Sequence, residues 1–88
     1  MQIRKTASAG TLESNDVLVT VDPGDGIQVH IESVVLNQFG DQIRAVAGET
    51  LANLGVTNAV VRLQDMGALD CTIAARVEAA VRRAGEDA

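Results

Sequence analysis

With 88 residues and a formal net charge of −5, the chain is sized for one small domain. It is also too acidic for a phosphate backbone, which demands a basic patch, since Arg4-Lys5 and Arg82-Arg83 are the only adjacent basic pairs. Its apolar fraction of 47% comes mostly from Val, Ala, Leu and Ile, with Phe39 the single aromatic residue, which argues against an aromatic-lined pocket or a base-stacking surface. The lone cysteine, Cys71, cannot close an internal disulfide, and no apolar run approaches the roughly 20 residues of a membrane span. Met1-Gln2-Ile3-Arg4-Lys5 lacks the apolar core of a signal peptide. A cytoplasmic location is expected, with no membrane and no nucleic acid among the partners. The acidity serves solubility or steers the chain toward basic surfaces, and composition leaves both open.

Residues 1–9 read as an extended arm in which Ile3, Lys5 and Ala7 alternate with more polar neighbours, a weak signal for an edge strand. Gly10 and the cluster Glu13-Ser14-Asn15-Asp16 are turn formers, so 10–16 is a loop. From Asp16 to Asp22, Val17, Val19 and Val21 share one face and Leu18 and Thr20 the other, the period-2 pattern of a strand. Pro23-Gly24-Asp25-Gly26 is the strongest breaker in the chain. After it Ile27, Val29 and Ile31 resume the alternation against Gln28, His30 and Glu32, which predicts a β-hairpin.

The period then changes to 3.6. Ser33 can cap a helix whose apolar stripe is Leu36, Phe39, Ile43, Val46, Ala47, Leu51 and Leu54, with Gly55 at its C-terminal end. Gly40 and Gly48 each cost that helix roughly 1 kcal/mol relative to alanine. A third strand covers 57–65, with Val61 and Leu63 inward and Arg62 and Gln64 outward, and Asp65-Met66-Gly67 breaks it. Asp70 is placed to cap a second helix over 71–84, with Ile73, Val77, Ala80, Val81 and Ala84 inward, ended by Gly85. Residues 86–88 are expected to be a disordered tail. The order is β-β-α-β-α, with the arm as a further candidate edge strand. Two amphipathic helices must cover one apolar sheet face, which predicts a single-domain α+β two-layer sandwich over 1–88, on a small mixed sheet.

Chemistry-bearing residues are few. Ser14 sits in a polar loop with no nearby histidine to act as a base, so it is no hydrolase nucleophile. Its hydroxyl, on a loop taken to be mobile, is instead open to modification by another enzyme. On spacing alone it is an ordinary turn residue. His30 has no second ligand at a metal-binding spacing, and Asp22, Asp25 and Glu32 near the predicted hairpin lack the pattern of a calcium loop. Cys71, at the start of a helix, reads as a small, partly buried apolar residue. Arg76, Arg82 and Arg83 read as a solvated face or a contact for another subunit. No catalytic residue and no metal site are expected.

Three segments carry a resemblance: Ala9-Gly10-Thr11-Leu12-Glu13-Ser14, Gln38-Phe39-Gly40-Asp41 and Gly67-Ala68-Leu69-Asp70-Cys71. In that order, over nearly the whole chain, the sequence resembles the citrate lyase acyl carrier protein, the gamma subunit of that complex. Met66 departs from the family, where a basic residue is expected before the glycine. The resemblance implies that Ser14 carries 2′-(5″-phosphoribosyl)-3′-dephospho-CoA in phosphodiester linkage, placed by a holo-carrier synthase. It further implies a non-catalytic carrier of a phosphoprotein type, active in citrate fermentation. The thiol of its arm holds an acetyl thioester. A transferase (alpha) subunit exchanges acetate for citrate, and a lyase (beta) subunit releases oxaloacetate. The alternatives are the acyl carrier of malonate decarboxylase and a non-covalent metabolite-binding or assembly module with Ser14 unmodified.

Overall fold

The computed structural model describes residues 1–86. The elements are β1 (Ala7–Ala9), β2 (Val17–Asp22), β3 (Ile27–Ser33), α1 (Leu36–Asn53), β4 (Ala59–Asp65) and α2 (Asp70–Gly85). The four strands form one mixed sheet in the order β1-β2-β4-β3, in which only the β3–β4 pair is parallel. The fold is α+β with both helices on one face. That face carries Val17, Val19, Val21, Ala59, Val61 and Leu63, all buried, and α2 adds Ile73, Val77, Ala80, Val81 and Ala84. Each fully buried Val, Leu or Ile contributes about 1.5–3 kcal/mol before the entropy cost of ordering it. The outer sheet face, with Gln28, His30, Glu32, Arg62 and Gln64, is exposed.

The predicted β2–β3 hairpin does not form. Strand β4 lies between the two, pairing Val19 with Leu63 on one side and Ile31 with Leu63 on the other. Residues 23–26 instead carry the chain across the start of β4. Gly26 accepts a hydrogen bond from the Ala59 amide at 2.9 Å and donates its own to Asn58 Oδ1 at 2.8 Å. A Cβ on Gly24 would stand 2.9 Å from Val60 Cγ2, so the crossing is too close for a side chain. Alternation assigns faces and not neighbours, and β4 (Ala59, Val60, Val61, Leu63) has the apolar content of an inner strand while β3 has that of an edge. The weak edge strand in the arm is real: β1 pairs antiparallel with β2, and Ile3 is buried.

Helix α1 matches its stripe at Ile43, Ala47 and Leu51, which are buried, and departs from it at Leu36 and Phe39, which are 46% and 52% exposed. Eighteen residues of helix run about 27 Å, longer than the roughly 23 Å of the seven-residue strand β3 beneath it. Its first turn follows directly on the end of β3, where Leu36 and Phe39 lie at the edge of the covered surface. At the other end the Gly55 and Val56 amides close onto Ala52 and Leu51 carbonyls, a Schellman arrangement. Neither Gly40 nor Gly48 is required by a close approach of the sheet: an added Cβ would meet only Leu36 at the first and nothing within 4 Å at the second.

The two expected side-chain caps are replaced by one carboxylate. The N-caps are Val35 and Leu69, without side-chain bonds. The Asp65 side chain, 1% exposed, accepts from Ser33 Oγ at 2.8 Å and from the Gly67 and Ala68 amides at 3.2 and 2.9 Å. Ser33 Oγ in turn accepts from the Val35 amide at 3.1 Å, and Asp70 accepts from Gln42 at 2.8 Å instead of capping its own helix. Asp65 thus ties the entries of both helices to the end of β4. Helix α2 runs through Gly85, and Glu86 is its C-cap. The rest of the expected tail, 87–88, lies outside the described residues.

Candidate functional site

Sheet register sets the geometry. Val17, Asp65 and Ser33 occupy one row across β2, β4 and β3, so the loop before β2, the turn after β4 and the entry to α1 all sit at one end of the molecule. The loop, 10–16, joins β1 to β2. Gly10 has φ +97°, and a Cβ there would lie 1.8 Å from the Val17 carbonyl oxygen, so no other residue fits without moving β2.

Beyond Gly10 the loop closes on itself and on β4. The Asp16 amide donates to the Glu13 carbonyl at 3.1 Å, forming a turn with Ser14 and Asn15 at its centre, and Asn15 takes the positive φ (66°) that the third position of such a turn tolerates. Asn15 N–H donates to Met66 O at 2.8 Å and Met66 N–H to Asp16 O at 2.9 Å, extending the β2–β4 ladder by one rung. Thr11 Oγ1 donates to Asp16 Oδ2 at 2.7 Å and accepts from the Glu13 amide at 3.2 Å. The expected mobile loop is therefore a braced one, because its polar side chains satisfy its own backbone.

The brace centres on Asp16. Arg76 of α2 grips both carboxylate oxygens, Nε to Oδ1 and Nη2 to Oδ2, each at 3.0 Å, and the Val17 amide donates to Oδ1 at 2.8 Å. Hydrogen bonds from Arg76 first, then from Thr11 and the Val17 amide, hold the Asp16 carboxyl down at about 2. Arg76 is thus no solvated charge, and sequence reading missed its role because its partner lies 60 positions away. Arg82 pairs with Glu78 and Arg83 donates to the Ser8 carbonyl.

Ser14 stands exposed at the tip, and its hydroxyl makes no hydrogen bond to another described residue. No histidine approaches it. His30 lies on the outer face of β3, paired in register with Arg62. The hydroxyl is thus an unengaged neutral group on a fixed turn, suited to being a substrate of another enzyme and not a nucleophile in its own right. Asp22 and Glu32 sit on rows four residues apart along β4, and Asp22 pairs with Arg62 at 2.9 Å. Among the described residues no group of carboxylate, His and Cys side chains could hold a metal ion, and no helix is long and apolar enough to cross a membrane.

Beside the loop, the starts of α1 and α2 flank a groove of about 550 Å³ walled by Phe39, Ile43, Ala68, Leu69, Cys71 and Ile73. Cys71 is exposed in it, contrary to the partly buried reading, because it occupies the outer side of the first turn of α2. Gly67, in the same wall, comes so near the Ser14 turn that a Cβ there would be 3.7 Å from Asn15 Oδ1.

Comparison with known proteins gives the family. Over 88 residues the chain is 53% identical to a citrate lyase acyl carrier protein of Haemophilus influenzae (strain ATCC 51907 / DSM 11121 / KW20 / Rd), covering all of this chain and 93% of that one. It is 57% identical to one from Streptococcus mutans serotype c, covering 98% and 86%, and 52% identical to one from Clostridium perfringens, covering 98% and 87%. The chain belongs to the citrate lyase acyl carrier protein family. A family model described as "ACP: Malonate decarboxylase delta subunit (MdcD)" matches residues 4–84. A chain in the crystal structure of a Pseudomonas malonate decarboxylase hetero-tetramer in complex with malonate shares the fold, with a TM-score of 0.76 at 24% identity over 94% of this chain and 87% of that one. The three segments that carry the resemblance to the citrate lyase carriers meet at one end of the fold: the Ser14 loop, the first turn of α1 and the turn into α2.

Proposed function

We propose that the chain is the acyl carrier subunit of a citrate lyase and that Ser14 anchors a covalently attached 2′-(5″-phosphoribosyl)-3′-dephospho-CoA arm. The observation that carries the reading is the state of Ser14: an exposed, unengaged hydroxyl on a turn braced by Arg76, Thr11 and the Met66 backbone. The residues present fit such a group. A phosphodiester at Ser14 Oγ displaces no internal hydrogen bond and projects from the tip of the loop. The choice of citrate over malonate rests on relatives 52–57% identical over nearly the full chain.

When attached, the arm supplies a thiol that holds acyl groups as activated thioesters. The chain itself supplies position. Its brace fixes where the arm begins, and the tether confines the acyl group at an effective concentration on the order of millimolar near the partner active sites. The Ser14 hydroxyl has no partner base among the described residues, and we assign the chemistry to the transferase and lyase subunits and the attachment to a holo-carrier synthase, all in the cytoplasm. Co-expression with the synthase should raise the intact mass by one arm, with no gain in Ser14→Ala. The loaded chain, with its partner subunits, should support cleavage of citrate to acetate and oxaloacetate and not decarboxylation of malonate. Support for malonate decarboxylation alone would reassign the complex.

A further inference from the structure

Apolar surface is concentrated at the Ser14 end. Val34, Leu36, Phe39 and Leu69 are 64%, 46%, 52% and 70% exposed at the entries of α1 and α2; Phe39 and Leu69 line the groove, and Leu36 lines a neighbouring hollow with Ile31 and Arg44. An extended patch of this kind on a small acidic domain marks a protein interface.

Its shape is set in advance. The Asp65 carboxylate holds the backbone entering α2 and the Ser33 hydroxyl before α1, and Gln42 bonds Asp70 across the groove at 2.8 Å. Charge narrows the occupant. Asp70 is exposed at the groove, whose walls hold no Lys, Arg or His, Glu13 is exposed on the neighbouring loop, and the chain carries −5 overall. A second copy would bring like charge to an acidic rim. The arm alone, lying in the groove, would leave Val34 and Leu36 outside it.

We propose that this end of the molecule, with Phe39 and Leu69 at its centre, is the docking surface for the subunits that handle the arm, and that their matching face presents an apolar side chain ringed by Lys or Arg. This rests on the carrier reading of Ser14 and adds to it the surface that brings the arm's root to a partner's entrance. A domain that docks through the rim of its own attachment loop needs no search by the arm over the partner's surface.

Cys71, the only cysteine of the chain and exposed in the groove, is a built-in reporter. Its tryptic peptide, 63–76, is separate from that of Ser14, so its alkylation by iodoacetamide can be followed by mass in the loaded chain. Adding the transferase or the lyase subunit should slow Cys71 alkylation at least about tenfold. Phe39→Asp and Leu69→Asp should each weaken assembly at least about tenfold. Ile27→Asp, at another exposed apolar residue, at the opposite end of the sheet, should leave assembly unchanged, and circular dichroism checks that all three variants fold. Equal alkylation of Cys71 free and in complex, or equal weakening by Ile27→Asp, overturns the proposal. So does protection of Cys71 by the attached arm without a partner. Intact mass separates the two claims: protection of Cys71 in a chain that never acquires the arm would retain the surface and sink the carrier reading.

Discussion

Removing the Asp65 carboxylate should be among the most damaging single changes at the Ser14 end of the fold. Asp65 is 1% exposed and accepts three hydrogen bonds, from Ser33 Oγ and the Gly67 and Ala68 amides. Asp65→Ala leaves two backbone donors and a hydroxyl without that acceptor in a place water reaches poorly. At about 1–3 kcal/mol for each stranded donor, reduced because the serine rotor can turn and the burial cost of the carboxylate is relieved, the loss should be about 2–4 kcal/mol. For a domain of this size that is a fall in Tm of roughly 10–25 °C. Asp65→Asn keeps the acceptor for Ala68 and turns an NH2 toward the Gly67 amide, so about 1–2 kcal/mol is expected, and Ser33→Ala should cost about 1 kcal/mol. Urea unfolding followed by far-UV circular dichroism measures all three, since the chain has no Trp or Tyr. The reasoning is refuted if Asp65→Ala lies within about 0.5 kcal/mol of the parent, or if Ser33→Ala costs more than Asp65→Ala.

The Asp16 carboxyl, held at about 2 against an ordinary 3.8, binds its proton later in the folded state than in the unfolded one. Its contribution to stability is therefore full above about pH 4 and lost as the pH falls toward 2. The urea midpoint of Arg76→Gln should fall less steeply than the parent's across that window, and parallel curves would contradict the assignment. Leu51→Ala should cost about 2–5 kcal/mol while Phe39→Ala stays within about 0.5 kcal/mol, although both lie on the same predicted stripe; equal losses would mean that Phe39 is not exposed as described. Gly48→Ala, with open space around the new Cβ, should stabilise by about 0.5–1 kcal/mol. Gly10→Ala, at φ +97° and against the Val17 carbonyl, should destabilise by more than about 2 kcal/mol, and thermal melts order the two.

The local patterns of the chain were legible where a single face is buried. Val17-Val19-Val21, Val61-Leu63 and the Ile73-to-Ala84 stripe all lie where their periods place them. Strand order was not, because alternation says which face a residue takes and nothing about its neighbours, and a Pro-Gly-Asp-Gly run reads as a hairpin turn whether or not another strand must be spanned. The stripe of α1 ran past its buried part, since periodicity carries no information about where cover ends. At the site, Ser14 stood out through resemblance, not chemistry. The groups that fix it, Asp16 with Arg76 and Asp65 with Ser33, are paired over 60 and 32 positions, and no local signal announces such contacts. The Asp65-Met66-Gly67 break held a clue, as an aspartate two residues before a glycine is an Asx-turn pattern.

The account turns on Ser14 as the point of attachment, and fragmentation of the loaded chain tests it most directly. The tryptic peptide 6–44 contains Ser8, Ser14 and Ser33, so the added mass has three serines to choose from. Ser8 lies in strand β1, and the Ser33 hydroxyl is held between Asp65 and the Val35 amide. All of the phosphoribosyl-dephospho-CoA mass should localise to Ser14. Mass on Ser8 or Ser33, or a fully active complex containing an unmodified carrier, would contradict the account.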